Sequence, residues 1–263
     1  MRKLRETLKI NLWYLSMEAT TLLGVGLNTG FPSFLVVGLI AMPLACWVRV
    51  KVMHLLVLSL ALSRTRVSSP PVLLGHSFGG LIIQYYIANL KKNQALEMET
   101  FYPKLAGAAL VCSVPPSGNS GLVWRYVFSK PIAAFKVTRS LAAKAFQTSL
   151  PLCKETFFSS TMEDHLVLRY QELMRESSRM PLFDLRKLNA ALPVPSVPKG
   201  SIDVLVLGAT DDFIVDAEGL RETGRFYGVS PVSVEGVAHD MMLDCSWEKG
   251  AKAILSWLTA LRK

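Results

Sequence analysis

Pro70-Pro71-Val72-Leu73-Leu74-Gly75-His76-Ser77-Phe78-Gly79-Gly80-Leu81 is the stretch that decides the fold. A proline pair is followed by an apolar run, a Gly75-x-Ser77-x-Gly79 turn and a helical pattern over residues 81–90, which reads as strand, tight turn, helix. A serine flanked two residues away on each side by glycine is the sequence form of a nucleophile elbow, because the backbone folds so sharply there that the neighbouring positions must be small. The helix that follows aims its N-terminal dipole, and the backbone N–H of Phe78, toward negative charge developing near Ser77. His76 lies in the same turn and reads as a packed, hydrogen-bonded support.

Outward from this stretch, a second strand is predicted over residues 108–113, ending at Pro115-Pro116, and a third over residues 202–207, ending at Gly208. Short all-apolar runs of this kind suit parallel strands covered on both faces. Between them, residues 118–192 show no strand pattern. Amphipathic segments at residues 141–148 and 162–176 predict a helical insertion, Pro193, Pro195 and Pro198 form a stiff return, and a last helix is predicted over residues 247–261. The organisation expected is an α/β core of residues 67–117 and 199–263, a helical cap of residues 118–198, and a separate segment 1–66. No internal repeat is present.

A serine hydroxyl is a weak nucleophile at neutral pH and needs an imidazole base held in one tautomer by a carboxylate. The third strand leads into Gly208-Ala209-Thr210-Asp211-Asp212-Phe213-Ile214-Val215-Asp216, a loop at a strand's carboxyl end. Asp216 is placed to cap the helix starting at Ala217, with Glu218 in its first turn. Asp211 and Asp212 both remain as the acid. Of the four histidines, His54 lies in the N-terminal segment, His76 in the elbow and His165 in a cap helix, whereas His239 follows an apolar strand candidate at residues 231–237. Position therefore selects His239 as the base.

Residues 75–80, residues 208–219 with Tyr227-Gly228, and Ala238-His239-Asp240 together resemble the α/β-hydrolase superfamily, over residues 68–263. The resemblance implies an α/β-hydrolase fold with a mostly parallel central sheet and an inserted helical cap. In similar members the acid stands four residues after the glycine and just before a short apolar run, which selects Asp212. The implied catalytic set is Ser77, Asp212 and His239, with the Phe78 N–H as an oxyanion donor. The implied chemistry is hydrolysis of small uncharged esters or thioesters, with lyase and acyltransferase exceptions, and with neither cofactor nor metal. Relatives with an aspartate nucleophile do not fit, because the elbow carries Ser77. Trp124, Phe128, Phe135, Phe157, Phe158 and Met162 in the cap are candidates either to line an acyl pocket or to pack the lid on the core.

The bulk properties agree with an enzyme core: 263 residues with 51% hydrophobic content fill one large domain. The net charge of +9 is concentrated in residues 1–66, where Arg2, Lys3, Arg5, Lys9, Arg49, Lys51, Arg64 and Arg66 face only Glu6 and Glu18, so a nucleic-acid-binding face on the core is not expected. Cys46, Cys112, Cys153 and Cys245 have neither metal-ligand nor disulfide-framework spacing, which fits a reducing compartment. No secretory signal is read, because the apolar run after Lys9 lacks a small-residue cleavage site and contains Glu18.

Residues 19–48 carry no charge, and about 20 apolar residues cross a bilayer, so this run is a candidate membrane anchor, weakened by Asn28, Pro32 and Pro43. A different account is favoured. Similar hydrolases open with a strand ending in His-Gly, a Trp-rich helix and a further strand, and residues 1–66 show none of these. Back-translation shifted by two nucleotides permits such a segment, and the five codons that are fully forced, at Trp13/Tyr14, Met17/Glu18, Met42/Pro43, Trp47/Val48 and Met53/His54, agree with it. Residues 11 to about 66 are thus expected to be an out-of-frame translation, with the N-terminal strands missing or aberrant.

Overall fold

In the computed structural model the apolar run expected to open the sheet is the fourth strand in the chain. The structure describes residues 10–17, 20–27, 35–39, 70–95, 104–129, 131–176 and 192–261. They divide between two units, Met1–Val111 with Ser178–Val204, and Cys112–Ser177 with Leu205–Lys263.

The first unit holds strands β1 (Ile10–Met17), β2 (Thr20–Leu27), β3 (Leu35–Leu39), β4 (Val72–His76) and β5 (Gly107–Val111) and helix α1 (Phe78–Ala95). β1 and β2 are antiparallel, from Met17 opposite Thr20 to Ile10 opposite Leu27, and β2 and β3 are antiparallel with Leu22 opposite Leu39. β3 to β4 and β4 to β5 are parallel, with Val37 opposite Leu73 and Val72 opposite Gly107. Of the expectation that the N-terminal strands are missing or aberrant, the first half does not hold, since residues 1–66 supply β1, β2 and β3. The physical reason is that strand pairing asks only for short apolar, β-branched or aromatic runs, which Thr20–Leu27 and Leu35–Leu39 supply without a His-Gly motif. His54 and the rest of that segment lie outside the described residues. Among the described residues no helix is long and apolar enough to cross a membrane, and the uncharged run of residues 19–48 supplies β2 and β3.

β4 and β5 are buried, as all-apolar parallel strands require. Helix α1 presents Leu81, Ile82, Ile83, Tyr86, Ile87 and Leu90 to the interior, so it is buried well beyond a single stripe. It begins three residues earlier than predicted, because the two glycines of the turn already belong to its first turn.

The second unit holds α2 (Asn119–Ser129), α3 (Pro131–Ala142), α4 (Leu150–Phe157), α5 (Asp164–Glu176), β6 (Val204–Ala209, whose first residue belongs to the other unit), α6 (Ala217–Tyr227), β7 (Val232–Val234) and α7 (Trp247–Ala260). From residue 112 to residue 176 the described residues contain helices and no strand. The helix predicted at residues 141–148 is corrected: α3 ends at Ala142, Lys144 takes a left-handed φ of 52°, and a 3-10 turn follows at Ala145–Gln147. α4 is capped by Ser149, whose hydroxyl accepts the Leu152 N–H at 3.4 Å. Cys153, Phe158, Met162 and Val167 form the buried cluster that α4 and α5 share. β6 and β7 pair in parallel, Leu207 opposite Val232. β7 is shorter than the predicted run of residues 231–237 because Gly236, at φ 67°, turns the chain away.

Candidate active site

Strand β4 delivers Ser77 into a left-handed backbone conformation, φ 55°, immediately before α1. For a residue with a Cβ this costs roughly 1–2 kcal/mol, so the surroundings must enforce it. They do so in two ways: the Ser77 N–H donates to the Val111 carbonyl at 3.0 Å, and the Ser77 carbonyl accepts the Gly80 N–H at 3.1 Å. Gly75 lets the turn close, since a Cβ there would stand 2.6 Å from the Gly79 carbonyl oxygen and from Ile83 Cδ1. Phe78 opens α1, which puts its backbone N–H in the first turn of that helix. His76 is buried at the end of β4.

In the second unit, Asp212 and His239 meet. The His239 Nδ1 lies 3.0 Å from Asp212 Oδ1 and 2.9 Å from Oδ2, and the side chains are 3% and 1% exposed. Asp212 Oδ1 also accepts the backbone N–H groups of Ile214 at 2.8 Å and Val215 at 2.9 Å. A carboxylate with these donors fixes the imidazole with Nδ1–H toward it, leaving Nε2 as the basic nitrogen. Two main-chain bonds seat the acid loop beside the segment leading to His239: Thr210 N–H to the Val234 carbonyl at 3.0 Å and Asp211 N–H to the Val237 carbonyl at 3.1 Å.

Burial by itself would lower the pKa of His239, but the charge and hydrogen bond of Asp212, with the charge of Asp240, outweigh it and hold the imidazole above its ordinary value. Burial pushes the neighbouring Asp240 carboxyl up to about 6, with His239 pulling the other way and Asp212 adding to the rise. The Asp240 N–H donates to the Phe157 carbonyl at 2.9 Å.

The other sequence candidates separate cleanly. Asp211 is exposed and accepts the Thr210 hydroxyl at 2.9 Å. Asp216 caps α6 through the Gly219 N–H at 2.8 Å and also receives both guanidinium arms of Arg125, at 2.8 and 2.9 Å. Burial would raise its pKa, but Arg125 and the Gly219 N–H hold the carboxyl below its ordinary range. His165 is exposed beside Glu163 at 3.1 Å. Of the six cap residues, Phe158 and Met162 belong to the buried cluster and the partly buried Phe157 packs against it, whereas Trp124, Phe128 and Phe135 are exposed. A cavity of about 330 Å³ is lined instead by Pro131, Ile132, Ala133, Lys136, Glu155 and Phe213, the last of which directly follows Asp212.

Two contributors were not legible in the sequence. Cys112, at φ 43°, is buried with its sulfur, the Asp212 carboxylate and the His239 ring nitrogen all within 4.8 Å of one another. Burial, then the charge and hydrogen bond of Asp212, push its thiol pKa well up, so Cys112 stays protonated and donates to Asp212. Cysteine, aspartate and histidine are a zinc-type donor set, and here they are joined by hydrogen bonds, Cys112 to Asp212 and Asp212 to His239 Nδ1. Asp244 is buried and accepts from the Ser159 N–H at 2.8 Å, the Ser159 hydroxyl at 2.9 Å, the Ser246 N–H at 3.2 Å and the Cys245 thiol at 3.3 Å. It fastens the segment after His239 to the junction between α4 and α5. A lone cysteine after an apolar strand and a lone aspartate in a loop carry no sequence signal of such roles.

Comparison with known proteins bears on this arrangement. A sequence profile described as the alpha/beta hydrolase family matches residues 22–252, starting well before the Ser68 boundary drawn from sequence motifs. No curated protein matches the chain. Among solved structures, a candidate lipase from Acinetobacter baumannii is 17% identical, with 98% of this chain and 95% of that chain covered and a TM-score of 0.57. MenH from S. aureus is 12% identical, with 84% and 81% covered and a TM-score of 0.52. At these identities the likeness is one of fold.

Proposed function

The chain belongs to the alpha/beta hydrolase family, and from that premise we propose that it is a serine hydrolase acting on small uncharged esters through an acyl-enzyme. Ser77 Oγ attacks the acyl carbon while His239 Nε2 takes its proton. Asp212 keeps Nδ1–H pointed at itself and stabilises the imidazolium that forms. The Phe78 N–H donates to the carbonyl oxygen as it becomes an oxyanion, a contribution of roughly 3–4 kcal/mol for one such donor. The alkoxide leaves with the proton from His239, and water then cleaves the acyl-serine ester with the same base, which restores Ser77 and releases the acid.

The observation that carries this reading is the strained Ser77. A non-glycine residue at φ 55° between a buried strand and a helix, with a glycine at position 75 that admits no Cβ, is a conformation retained at a reacting group. A buried histidine held by a carboxylate, as His239 is by Asp212, is the kind of base such a serine needs. Core residues 67–117 and 199–263 with a cap at residues 118–198 remain the domain organisation proposed. The test is hydrolysis of a short-chain nitrophenyl ester by the full chain. Turnover is expected, with its loss in both Ser77→Ala and His239→Ala; turnover retained in either variant would contradict the assignment.

A further inference from the structure

Helices α2 and α3 expose an unusual amount of apolar surface. Val123 is 54% exposed, Trp124 60%, Val127 42%, Phe128 79%, Ile132 75% and Phe135 66%. Isolated exposed apolar residues need no explanation, but six large ones on two successive helices form a patch of the kind that marks an interaction surface. Trp124 and Phe128 stack at 5.7 Å, so their rings present one continuous face.

The charge carried by these helices' own sequence has one sign. From Thr100 to Lys154 the sequence contains no aspartate or glutamate. Within residues 118–144 it carries Arg125, Lys130, Lys136, Arg139 and Lys144. Asp216 matches Arg125 and Glu155 matches Lys136, which leaves Lys130, Arg139 and Lys144 with no acidic residue nearby in sequence. Arg139 and Lys144 are exposed. The modest net charge of the core as a whole conceals this local excess.

We propose that α2 and α3 dock on an anionic lipid surface, with the aromatic and aliphatic side chains entering the headgroup region and the basic side chains reaching lipid phosphates. Two helices with aromatic residues on an exposed face and lysine and arginine beside them have the composition of an interfacial element. A second copy of the chain is a poorer occupant, because two such faces would bring basic residues against basic residues. Ile132 belongs both to the patch and to the lining of the cavity beside Phe213, so the surface adjoins the space next to the acid loop. This inference does not depend on the chemistry assigned to Ser77.

The experiment is flotation of the full chain with vesicles of phosphatidylcholine and phosphatidylserine, and with vesicles of phosphatidylcholine alone. Binding to the mixed vesicles is expected, weakened by salt and reduced at least about tenfold without the anionic lipid. The double variant Trp124→Ser/Phe128→Ser should lose binding to mixed vesicles, and Arg139→Glu/Lys144→Glu should lose the preference for anionic lipid. All these positions are exposed, so unchanged melting temperatures keep the comparison valid, and single substitutions replace any pair that shifts them. No flotation of the parent chain, or flotation indifferent to both variants, overturns the proposal. So does a dimer by light scattering that Trp124→Ser/Phe128→Ser converts to monomer.

Discussion

His239 Nδ1 sits 2.9 Å from Asp212 Oδ2, and the two side chains are sealed from solvent. The acid also accepts two backbone N–H groups, so its position is set by the chain as well as by the imidazole. Asp212→Asn would preserve the shape and reverse the preferred tautomer, presenting a protonated Nε2. A loss in kcat of about 10³–10⁴-fold is expected, while the exposed Asp211→Asn should change it by less than about threefold. Steady-state kinetics on a nitrophenyl ester decide this, and the opposite ranking would identify Asp211 as the acid.

The pH profile follows from the charges around the base. His239 must be neutral to accept a proton, and its pKa is raised above the imidazole's ordinary 6.5. kcat/KM should therefore fall as pH drops through a midpoint above 6.5, rather than at or below it. Asp240→Asn removes one of the charges that raise the pKa, so the midpoint should move to lower pH. A midpoint that moves upward would mean that the neighbouring carboxyl acts by some other route.

The Asp244 clamp connects stability to activity. Asp244→Ala leaves the Ser159 and Ser246 N–H groups without their carboxylate, at a cost of about 1–3 kcal/mol for each buried donor left unmet. Because the clamp lies five residues after His239, kcat should fall with little change in KM. Thermal melting and kinetics on the same preparation check both effects, and an unchanged kcat would separate the clamp from the base.

Gly75→Ala tests the elbow itself. The new Cβ would meet the Gly79 backbone at 2.6–2.7 Å, which cannot swing aside as Ile83 Cδ1, also at 2.6 Å, could. Destabilisation of about 1–3 kcal/mol is expected, read from denaturant unfolding. A variant as stable as the parent would show that the turn has slack.

Much of this is legible in the sequence. Gly75-x-Ser77-x-Gly79 between an apolar run and a helix is a local signal, because the strain at Ser77 and the room needed at Gly75 are set within a few residues. Asp216 was likewise readable as a cap from its neighbours. The choice between Asp211 and Asp212 is not readable from residue type or position and comes from the family resemblance; in the structure the two differ in burial and in hydrogen bonding. Cys112 and Asp244 were hidden for the same reason, since their partners lie at distant positions in the chain. The strands Ile10–Met17, Thr20–Leu27 and Leu35–Leu39 carry no family motif, and an apolar run suffices to pair. The alternative frame over residues 11 to about 66 remains a proposal about the gene. It predicts a transcript that encodes a His-Gly strand there, and a message encoding the residues as given would retire it.

The central claim is that Ser77 is the nucleophile. Reaction of the full chain with a fluorophosphonate, followed by peptide mapping by mass spectrometry, tests it most directly. A single phosphonyl adduct on Ser77 is predicted, absent from the Ser77→Ala variant and strongly slowed in His239→Ala. An adduct on another residue, or labelling that persists when Ser77 is alanine, would contradict the account.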